Sequence, residues 1–89
     1  MEVSFSRSFK KAFKKRIEAT DLETLFWERL ELFIENPFNN VLKTHKLSGK
    51  LRGAWSFSVE YDTRVVFIFT KDKPRKAVLV DIGNHDEVY

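Results

Sequence analysis

The chain has 89 residues, of which 43% are hydrophobic, 33% charged and 15% aromatic, so it suits one small globular domain and is too short for two. It contains no cysteine, which excludes disulfide scaffolds, thiolate metal sites and cysteine nucleophiles. The formal net charge is +3, with basic blocks at 1–20 and 43–53 flanking an acidic block at 21–36, and such a basic surface suits a phosphate-bearing partner.

Residues 2–6 alternate between apolar and polar side chains, which predicts a short first strand. Ser6 is a suitable N-cap for a helix in which Phe9, Phe13 and Ile17 recur at helical spacing. The rest of the helix circumference is basic and carries Lys10, Lys11, Lys14 and Lys15. We therefore expect a helix with a narrow apolar stripe and a broad basic face.

A second helix is predicted to begin at Thr20, which forms a T-x-x-E capping box with Glu23. Its apolar residues cover more than half of the circumference. This helix is therefore expected to pack on two sides or to be covered by a partner. Pro37 ends it, because proline disfavours helical geometry in the preceding residue, Asn36.

The C-terminal half is predicted to be a loop at 38–53 followed by three strands. Residues 55–61 alternate in polarity and place Tyr61 on the apolar side of a half-buried strand. Residues 64–69 form a nearly continuous apolar run, typical of a central strand, and 77–82 form the last strand.

This order of elements, β-α-α-β-β-β over residues 1–89, predicts a single α+β domain. We expect both helices to pack on one face of a twisted, mainly antiparallel sheet. The opposite face of the sheet would then be open for function.

The face that Arg64 occupies depends on the length of the turn before it. A two-residue turn at Asp62-Thr63 would place Arg64 among the apolar side chains, whereas a three- or five-residue turn would place it with Ser58 and Glu60 on the open face. Asp62-Thr63 lacks the Asn-Gly or Asp-Gly chemistry that two-residue turns favour. We therefore expect the longer turn.

The sequence contains two histidines, His45 and His85, both near loop glycines or strand ends. Neither an H-x-H nor an H-x-x-x-H spacing is present, and there is no glycine-rich phosphate loop. We expect no metal site and no cofactor.

Four segments carry a family resemblance: FSRSFKKAFKKR at 5–16, HKLSGKLRGAW at 45–55, VEYDTRVVFIF at 59–69 and VDIGNHDEVY at 80–89. Together they resemble the RelE/ParE superfamily of bacterial toxins, and most closely its YafQ-type branch of mRNA-cleaving toxins. The resemblance implies a RelE-like fold and an endoribonuclease that cuts mRNA on the ribosome. It also implies a cognate antitoxin that silences the toxin.

The resemblance implies roles for individual residues. His85 matches the C-terminal histidine that serves as the main acid or base, and Arg64 matches the arginine that related toxins direct at the scissile phosphate. His45 and Asp62 match the loop histidine and the turn carboxylate of the YafQ-type site, and we expect them to act together as a supporting pair. Tyr89 matches the family's aromatic residue four positions after the C-terminal histidine, and an aromatic ring of this kind can stack on an RNA base.

Ser58 departs from the family pattern, because YafQ-type toxins have another histidine there and a serine cannot exchange protons near pH 7. Two alternatives to the ribonuclease follow: a catalytically inactive relative that binds its antitoxin, and a ParE-like inhibitor of DNA gyrase. A generic small RNA-binding domain also fits the composition. The presence of both His45 and His85 favours the ribonuclease.

These residue types suit metal-free RNA cleavage. The reaction needs a base for the ribose 2′-OH, an acid for the leaving 5′-oxygen and a cation for the charge that develops on the phosphate. Histidine exchanges protons near neutral pH, and arginine binds two phosphate oxygens at once. Contacts with ribosomal RNA are expected from a set of basic side chains: Lys10, Lys11, Lys14, Lys15, Lys43, Lys46, Lys50 and Arg52.

Localisation is predicted from the apolar runs and the N-terminal charges. No apolar run reaches the roughly 20 residues of a membrane span. The N-terminal basic residues follow a short alternating stretch, which is not the pattern of a signal peptide. We expect a cytoplasmic protein with no membrane partner.

Overall fold

A five-stranded sheet runs through the molecule in the order β1-β5-β4-β3-β2. The computed structural model describes residues 1–89. The elements in chain order are β1 (Glu2–Phe5), α1 (Arg7–Arg16), α2 (Asp21–Glu35), β2 (His45–Lys46), β3 (Trp55–Ser58), β4 (Thr63–Phe69), β5 (Lys76–Asn84) and α3 (His85–Val88). The predicted α+β class and element order are confirmed, with the short elements β2 and α3 added.

The sheet is mainly antiparallel, as predicted. β2 pairs with β3, β3 with β4 and β4 with β5 in antiparallel fashion. β1 is the exception, because it pairs in parallel with β5 and places Glu2 opposite Lys76. A parallel pair needs a crossover connection between its strands. Here α1, α2 and strands β2 to β4 all lie between β1 and β5 in the sequence.

Both long helices begin where the sequence predicts. The Ser6 side chain accepts a hydrogen bond of 3.1 Å from the backbone of the first turn of α1. At α2, Thr20 Oγ1 accepts from the Leu22 N–H at 3.2 Å. Glu23 Oε1 accepts from the Ala19 N–H at 2.8 Å rather than from Thr20, so the predicted box reaches one residue further back.

The core lies between the two long helices and one face of the sheet, and aromatic rings dominate it. Phe33 of α2 stacks on Phe57 at a centroid distance of 4.7 Å and meets Phe67 edge-on at 4.8 Å. Phe9 of α1 contacts Phe26 of α2 at 5.8 Å, so both helices share one buried cluster. The prediction that both helices pack on one face is therefore confirmed.

α2 leaves part of its apolar arc uncovered. Phe26, Leu30 and Phe33 are buried, but Trp27 is 43% exposed and Ile34 is 41% exposed. The chain by itself therefore covers only part of this arc. None of the helices is both long enough and apolar enough to pass through a bilayer.

Two local predictions for the C-terminal half are wrong. Tyr61 does not continue a strand, because β3 ends at Ser58 and the chain turns, with the Val59 N–H donating to the Thr63 carbonyl at 2.8 Å. The side chain of Tyr61 is 92% exposed. The predicted loop at 38–53 also contains regular structure, namely β2 and two 3-10 helices at Asn40–Leu42 and Gly49–Leu51.

Truncation of Phe33 tests the aromatic core. Phe33→Ala should lower the free energy of unfolding by about 3–5 kcal/mol, because it removes a buried ring that contacts Phe57 and Phe67 of the sheet. Urea unfolding followed by tryptophan fluorescence measures this change. The matched control is Phe38→Ala, since Phe38 is 46% exposed and its loss should cost much less. Equal losses in the two variants would contradict this description of the core.

Candidate functional site

Arg64 lies on the sheet face opposite to α1 and α2, which we call the open face. It is directly opposite Ser58 in the β3–β4 register, and paired residues in adjacent strands point to the same side. Their neighbours Phe57 and Val65 are buried in the core. Since Val59 to Thr63 separate Ser58 from Arg64, the prediction of a longer turn is confirmed.

The guanidinium of Arg64 is fixed by backbone oxygens of the preceding turn. Its Nη1 donates to the carbonyl of Glu60 at 3.0 Å and to the carbonyl of Tyr61 at 2.8 Å. No carboxylate pairs with Arg64. The Nε–H and both Nη2–H groups are therefore left for an external ligand, and this edge is the one that binds an oxyanion through two hydrogen bonds.

The shape of this turn depends on the carboxylate of Glu60. Glu60 Oε1 accepts from Thr63 Oγ1 at 2.9 Å and from the Asp62 N–H at 3.0 Å. The hydrogen bond from the Thr63 hydroxyl, followed by the one from the Asp62 backbone, lowers the pKa of Glu60 below its ordinary value. The ionised carboxylate thus organises the turn whose carbonyls hold Arg64.

Helix α3 folds back over the open face and begins with a capping box. Asn84 Oδ1 accepts from the Glu87 N–H at 2.9 Å, and Glu87 Oε1 accepts from the Asn84 N–H at 2.7 Å. At the other end of α3, the Tyr89 hydroxyl donates to Ser56 Oγ at 2.6 Å. Ser56 is fully buried, so it forms a fixed anchor for the tyrosine.

His85 lies next to this anchored tyrosine. Its ring meets the Tyr89 ring edge-on, with centroids 4.7 Å apart. The side chain is 69% exposed, and its Nδ1 lies 3.7 Å from Asp86 Oδ1. His85 is therefore accessible to a substrate while the aromatic beside it is held in place.

His45 approaches the same part of the open face from β2. It lies opposite Ser56 in the β2–β3 register, so both side chains point to one side. Its Nδ1 lies 3.0 Å from the Lys43 carbonyl oxygen. A carbonyl only accepts, so Nδ1 carries the proton and Nε2 of the neutral ring is free to act as an acceptor.

Ser56 and Ser58 connect these groups, since they are two positions apart on β3 and face the same side. That spacing is roughly 7 Å along a strand. Ser56 lies opposite His45 and accepts a hydrogen bond from Tyr89, whereas Ser58 lies opposite Arg64. Both histidines, the tyrosine and the arginine therefore belong to the open side of the sheet.

Asp62 is not joined to the predicted site. Its exposed side chain lines a depression beside Arg16 and Glu87, whereas Arg64 lines a separate pocket. No hydrogen bond or ion pair connects Asp62 with His45, its predicted partner. No group of three histidine or carboxylate side chains converges in a way that could hold a metal ion.

Three of the predicted RNA-binding lysines lie close to α3. Lys11 and Lys15 line a groove of about 440 Å³ together with Val66 and Val88. Lys50 lines a neighbouring hollow of about 330 Å³ that also includes Tyr89. These lysines therefore surround the C-terminal part of the open face.

Four other predicted basic residues, Lys10, Lys14, Lys46 and Arg52, do not line these two hollows. Lys46 follows His45 along β2, so its side chain points to the opposite side, with Nζ 5.5 Å from the centroid of the Trp55 ring. Arg52 lines a hollow of about 710 Å³ with Lys46 and Trp55. Lys10 and Lys14 are exposed on α1 and do not line the groove beside α3.

Sequence reasoning missed Arg16, which ties α1 to β5 and α3. Its Nη1 lies 3.1 Å from Asp81 Oδ1 and donates to the Ile82 carbonyl at 3.0 Å, and its Nε lies 3.5 Å from Glu87 Oε2. Nothing in the sequence distinguishes Arg16 from its basic neighbours. The capping box of α3, by contrast, has a visible signal in the N-x-x-E spacing at 84–87.

The family of the chain follows from a sequence-family comparison. The family described as bacterial toxin of type II toxin-antitoxin system, YafQ, matches residues 1–89. The chain therefore belongs to the YafQ family of bacterial toxins of type II toxin–antitoxin systems. A comparison with curated protein sequences gave no match.

Solved structures with the same fold include toxins from two bacteria. YafQ from Escherichia coli BL21(DE3) has a TM-score of 0.81 at 20% identity, covering 99% of this chain and 97% of that one. YafQ in the E. coli DinJ–YafQ complex has a TM-score of 0.77 at 21% identity, covering 99% and 97%. A metal-bound toxin from Helicobacter pylori has a TM-score of 0.74 at 26% identity, covering 100% and 99%. The architecture is therefore that of YafQ and related toxins.

Replacement of Gly83 tests how closely α3 packs on the sheet. A Cβ at this position would lie 2.8 Å from Glu87 Oε1, 3.0 Å from Arg16 Nη1 and 3.0 Å from Glu87 Cβ. The two side-chain ends can move aside, but Glu87 Cβ can give way only if α3 shifts. Gly83→Ala should therefore loosen α3 by about 1–3 kcal/mol, which is typical of overpacking. Faster hydrogen exchange at the amides of Glu87 and Tyr89 reports this loosening. Val78→Ala, on the same strand, is the control, and unchanged exchange in Gly83→Ala would disprove the close packing.

Removal of the Glu60 charge tests the turn. Because the pKa of Glu60 is lower in the fold than its ordinary value of 4.5, its ionised form stabilises the fold above that value, and this stability is lost as the pH falls through the lowered pKa. Glu60→Gln should therefore lower the melting temperature at pH 7, and this deficit should shrink as the pH falls below 4.5 towards and through the lowered pKa. Melting curves recorded over a series of decreasing pH values measure the deficit. A deficit that stays the same size down to the most acidic pH at which the protein folds would contradict this role for the charge.

Proposed function

We propose that this toxin is a ribosome-dependent endoribonuclease that cleaves translated mRNA in the cytoplasm, with residues 1–89 acting as one domain. The reaction would be attack of a ribose 2′-OH on the adjacent phosphate without a metal. The observation that carries the proposal is the free guanidinium edge of Arg64 on the sheet face that His45 and Tyr89 share. The other groups of the mechanism follow from this arrangement.

Acid and base chemistry is assigned to the two histidines. His85 is accessible and lies against Tyr89, so we assign it the main proton transfer, as acid or base. His45 presents a free Nε2 because its Nδ1–H is bound by the Lys43 carbonyl. The Lys43 carbonyl orients the His45 ring, and Asp62 takes no part in the proposed mechanism.

Arg64 is assigned to the phosphate. Its unused Nε–H and Nη2–H groups would bind two phosphate oxygens and stabilise the negative charge that builds up during attack. The turn carbonyls of Glu60 and Tyr61 hold the guanidinium before substrate arrives, so little reorganisation is needed. Tyr89 would stack on an RNA base next to the cleaved bond.

The basic side chains around α3 would hold the toxin on RNA. Lys11, Lys15 and Lys50 lie beside the open face and would contact phosphates of mRNA or ribosomal RNA. Phosphate contacts carry no base information. The choice of cleavage site would therefore come from the codon that the ribosome presents.

We further propose that a cognate antitoxin silences this chain. YafQ of E. coli has been solved in complex with DinJ, which supports the same arrangement here. The half-exposed Trp27 and Ile34 of α2 lie seven positions apart, hence on one helix face, and are suited to an apolar partner segment. β1 and β2 are the edge strands of the sheet and offer backbone pairing as a second contact.

Mapping of mRNA 5′ ends tests the nuclease. Induction of the wild type should create new 5′ ends within translated mRNAs, whereas His85→Ala and Arg64→Ala should remove most of them. Loss of one group that stabilises the developing charge typically costs about 10²–10³-fold in rate. Lys73→Ala, in the exposed turn before β5, is the control and should cleave like the wild type.

Two results would overturn parts of this proposal. Identical end maps for the wild type and His85→Ala would exclude a catalytic His85. Growth arrest without any new 5′ ends from the wild type would exclude the nuclease. A supercoiling assay with purified protein would then test gyrase inhibition.

A further inference from the structure

A pocket of about 240 Å³ below the β3–β4 turn collects basic side chains from three separate parts of the chain. They are Arg29 of α2, Lys43 at the end of the first 3-10 helix and Arg64 of β4. Ser58 and Tyr61 also line it. We call this the basic pocket. Among the side chains of this pocket, only Arg64 has a role implied by the family resemblance. Lys43 is expected only as a general RNA contact, and neither the pocket nor Arg29 enters the proposed mechanism.

The three cations of the basic pocket have no carboxylate partner. The ion pairs of the molecule that involve lysine or arginine use only Arg16 and Lys76. Glu60 also lines the pocket and brings one negative charge, with Oε1 held by the Asp62 N–H and the Thr63 hydroxyl, so the three cations leave the pocket with a net positive charge. Like charges that are brought together repel one another, so this arrangement favours an anionic ligand from outside.

The basic pocket adjoins the proposed catalytic groups. Arg64 belongs to both, and Ser58 lies opposite Arg64 in the sheet register. The backbone of Lys43 connects it with His45, because the Lys43 carbonyl accepts from His45 Nδ1 at 3.0 Å. A polyanion that reaches His45 and Arg64 would therefore have further phosphates close to Arg29 and Lys43.

An aromatic ring stands at the edge of the basic pocket. The Tyr61 side chain is 92% exposed, although its backbone carbonyl is fixed by Arg64 Nη1 at 2.8 Å. A ring that is open to solvent beside a cationic pocket matches the composition of single-stranded nucleic-acid sites, where aromatic rings stack on bases and cations hold the backbone.

We propose that the basic pocket is a nucleotide subsite: Arg29 and Lys43 bind the phosphate next to the one that Arg64 holds, and Tyr61 stacks on the adjoining base. This inference rests on the proposed ribonuclease function and adds Arg29 and Tyr61 to the residues expected to contact RNA. The volume is below the roughly 300–1,000 Å³ of sites for drug-sized ligands, in keeping with a single phosphate group.

The test measures RNA binding separately from cleavage. The probe is a fluorescein-labelled oligoribonucleotide with 2′-fluoro in place of every 2′-OH, so that the nucleophile is absent, and binding is followed by anisotropy at several salt concentrations. The Arg29→Gln/Lys43→Gln double variant should bind about tenfold more weakly. Its plot of log affinity against log salt should also be shallower by about 0.7 for each phosphate that the protein no longer neutralises.

Two matched controls define the effect. Lys71→Gln/Lys73→Gln removes the same charge at the opposite end of the β4–β5 hairpin and should leave the affinity within about twofold of the wild type. Tyr61→Phe keeps the ring and should bind normally, whereas Tyr61→Ala should lose about tenfold in affinity, within the range measured for base stacking. Melting curves of each variant confirm that the fold is intact.

The outcomes separate this inference from the nuclease proposal. If the double variant binds RNA like the wild type while the wild type cleaves mRNA, the subsite is disproved and the nuclease stands. If the double variant loses affinity for the antitoxin but not for RNA, the pocket serves a protein partner and the inference is wrong. Absence of mRNA cleavage by the wild type itself would disprove the nuclease instead.

Discussion

A side chain on a β-strand has two directions available, and the number of residues in the turn before Arg64 decides between them. With Ser58 opposite Arg64, the guanidinium lies on the face away from the helices, and a shift by one residue would send it into the aromatic core. The hydrogen bonds of Glu60 stabilise this turn, and the turn carbonyls in return hold Arg64. The role assigned to Arg64 on the open face depends on this register.

The C-terminal segment belongs to the same face because it is fixed at two points. At its start, Glu87 contacts Arg16 of α1 and caps α3, and at its end the Tyr89 hydroxyl reaches the buried Ser56. A short helix has little stability of its own. These tertiary contacts therefore stabilise α3, which would not be stable alone, and hold His85 close to the sheet.

Much of the fold could be predicted from the sequence, because hydrophobic periodicity and capping residues act locally. The stripe of Phe9 and Phe13, the cap at Ser6 and the apolar run of β4 are all of this kind. The prediction for Tyr61 is wrong. Apolar and polar residues continue to alternate in the sequence, but backbone hydrogen bonds to the Thr63 carbonyl turn the chain and end the strand before Tyr61. Arg16 and the pairing of Tyr89 with Ser56 join residues far apart in sequence, and no local pattern carries such information.

The parallel pairing of β1 with β5 has a consequence for biosynthesis. Glu2 of β1 lies opposite Lys76 of β5, so the first strand leaves the ribosome well before its only neighbour has been made. The contact between α1 and α2 and the β3–β4 hairpin each close a short loop. The β1–β5 pair closes a loop of nearly the whole chain, and contacts of such long sequence separation form slowly. During translation a nascent toxin therefore passes through a stage in which its edge strand is unpaired and its last strand is missing.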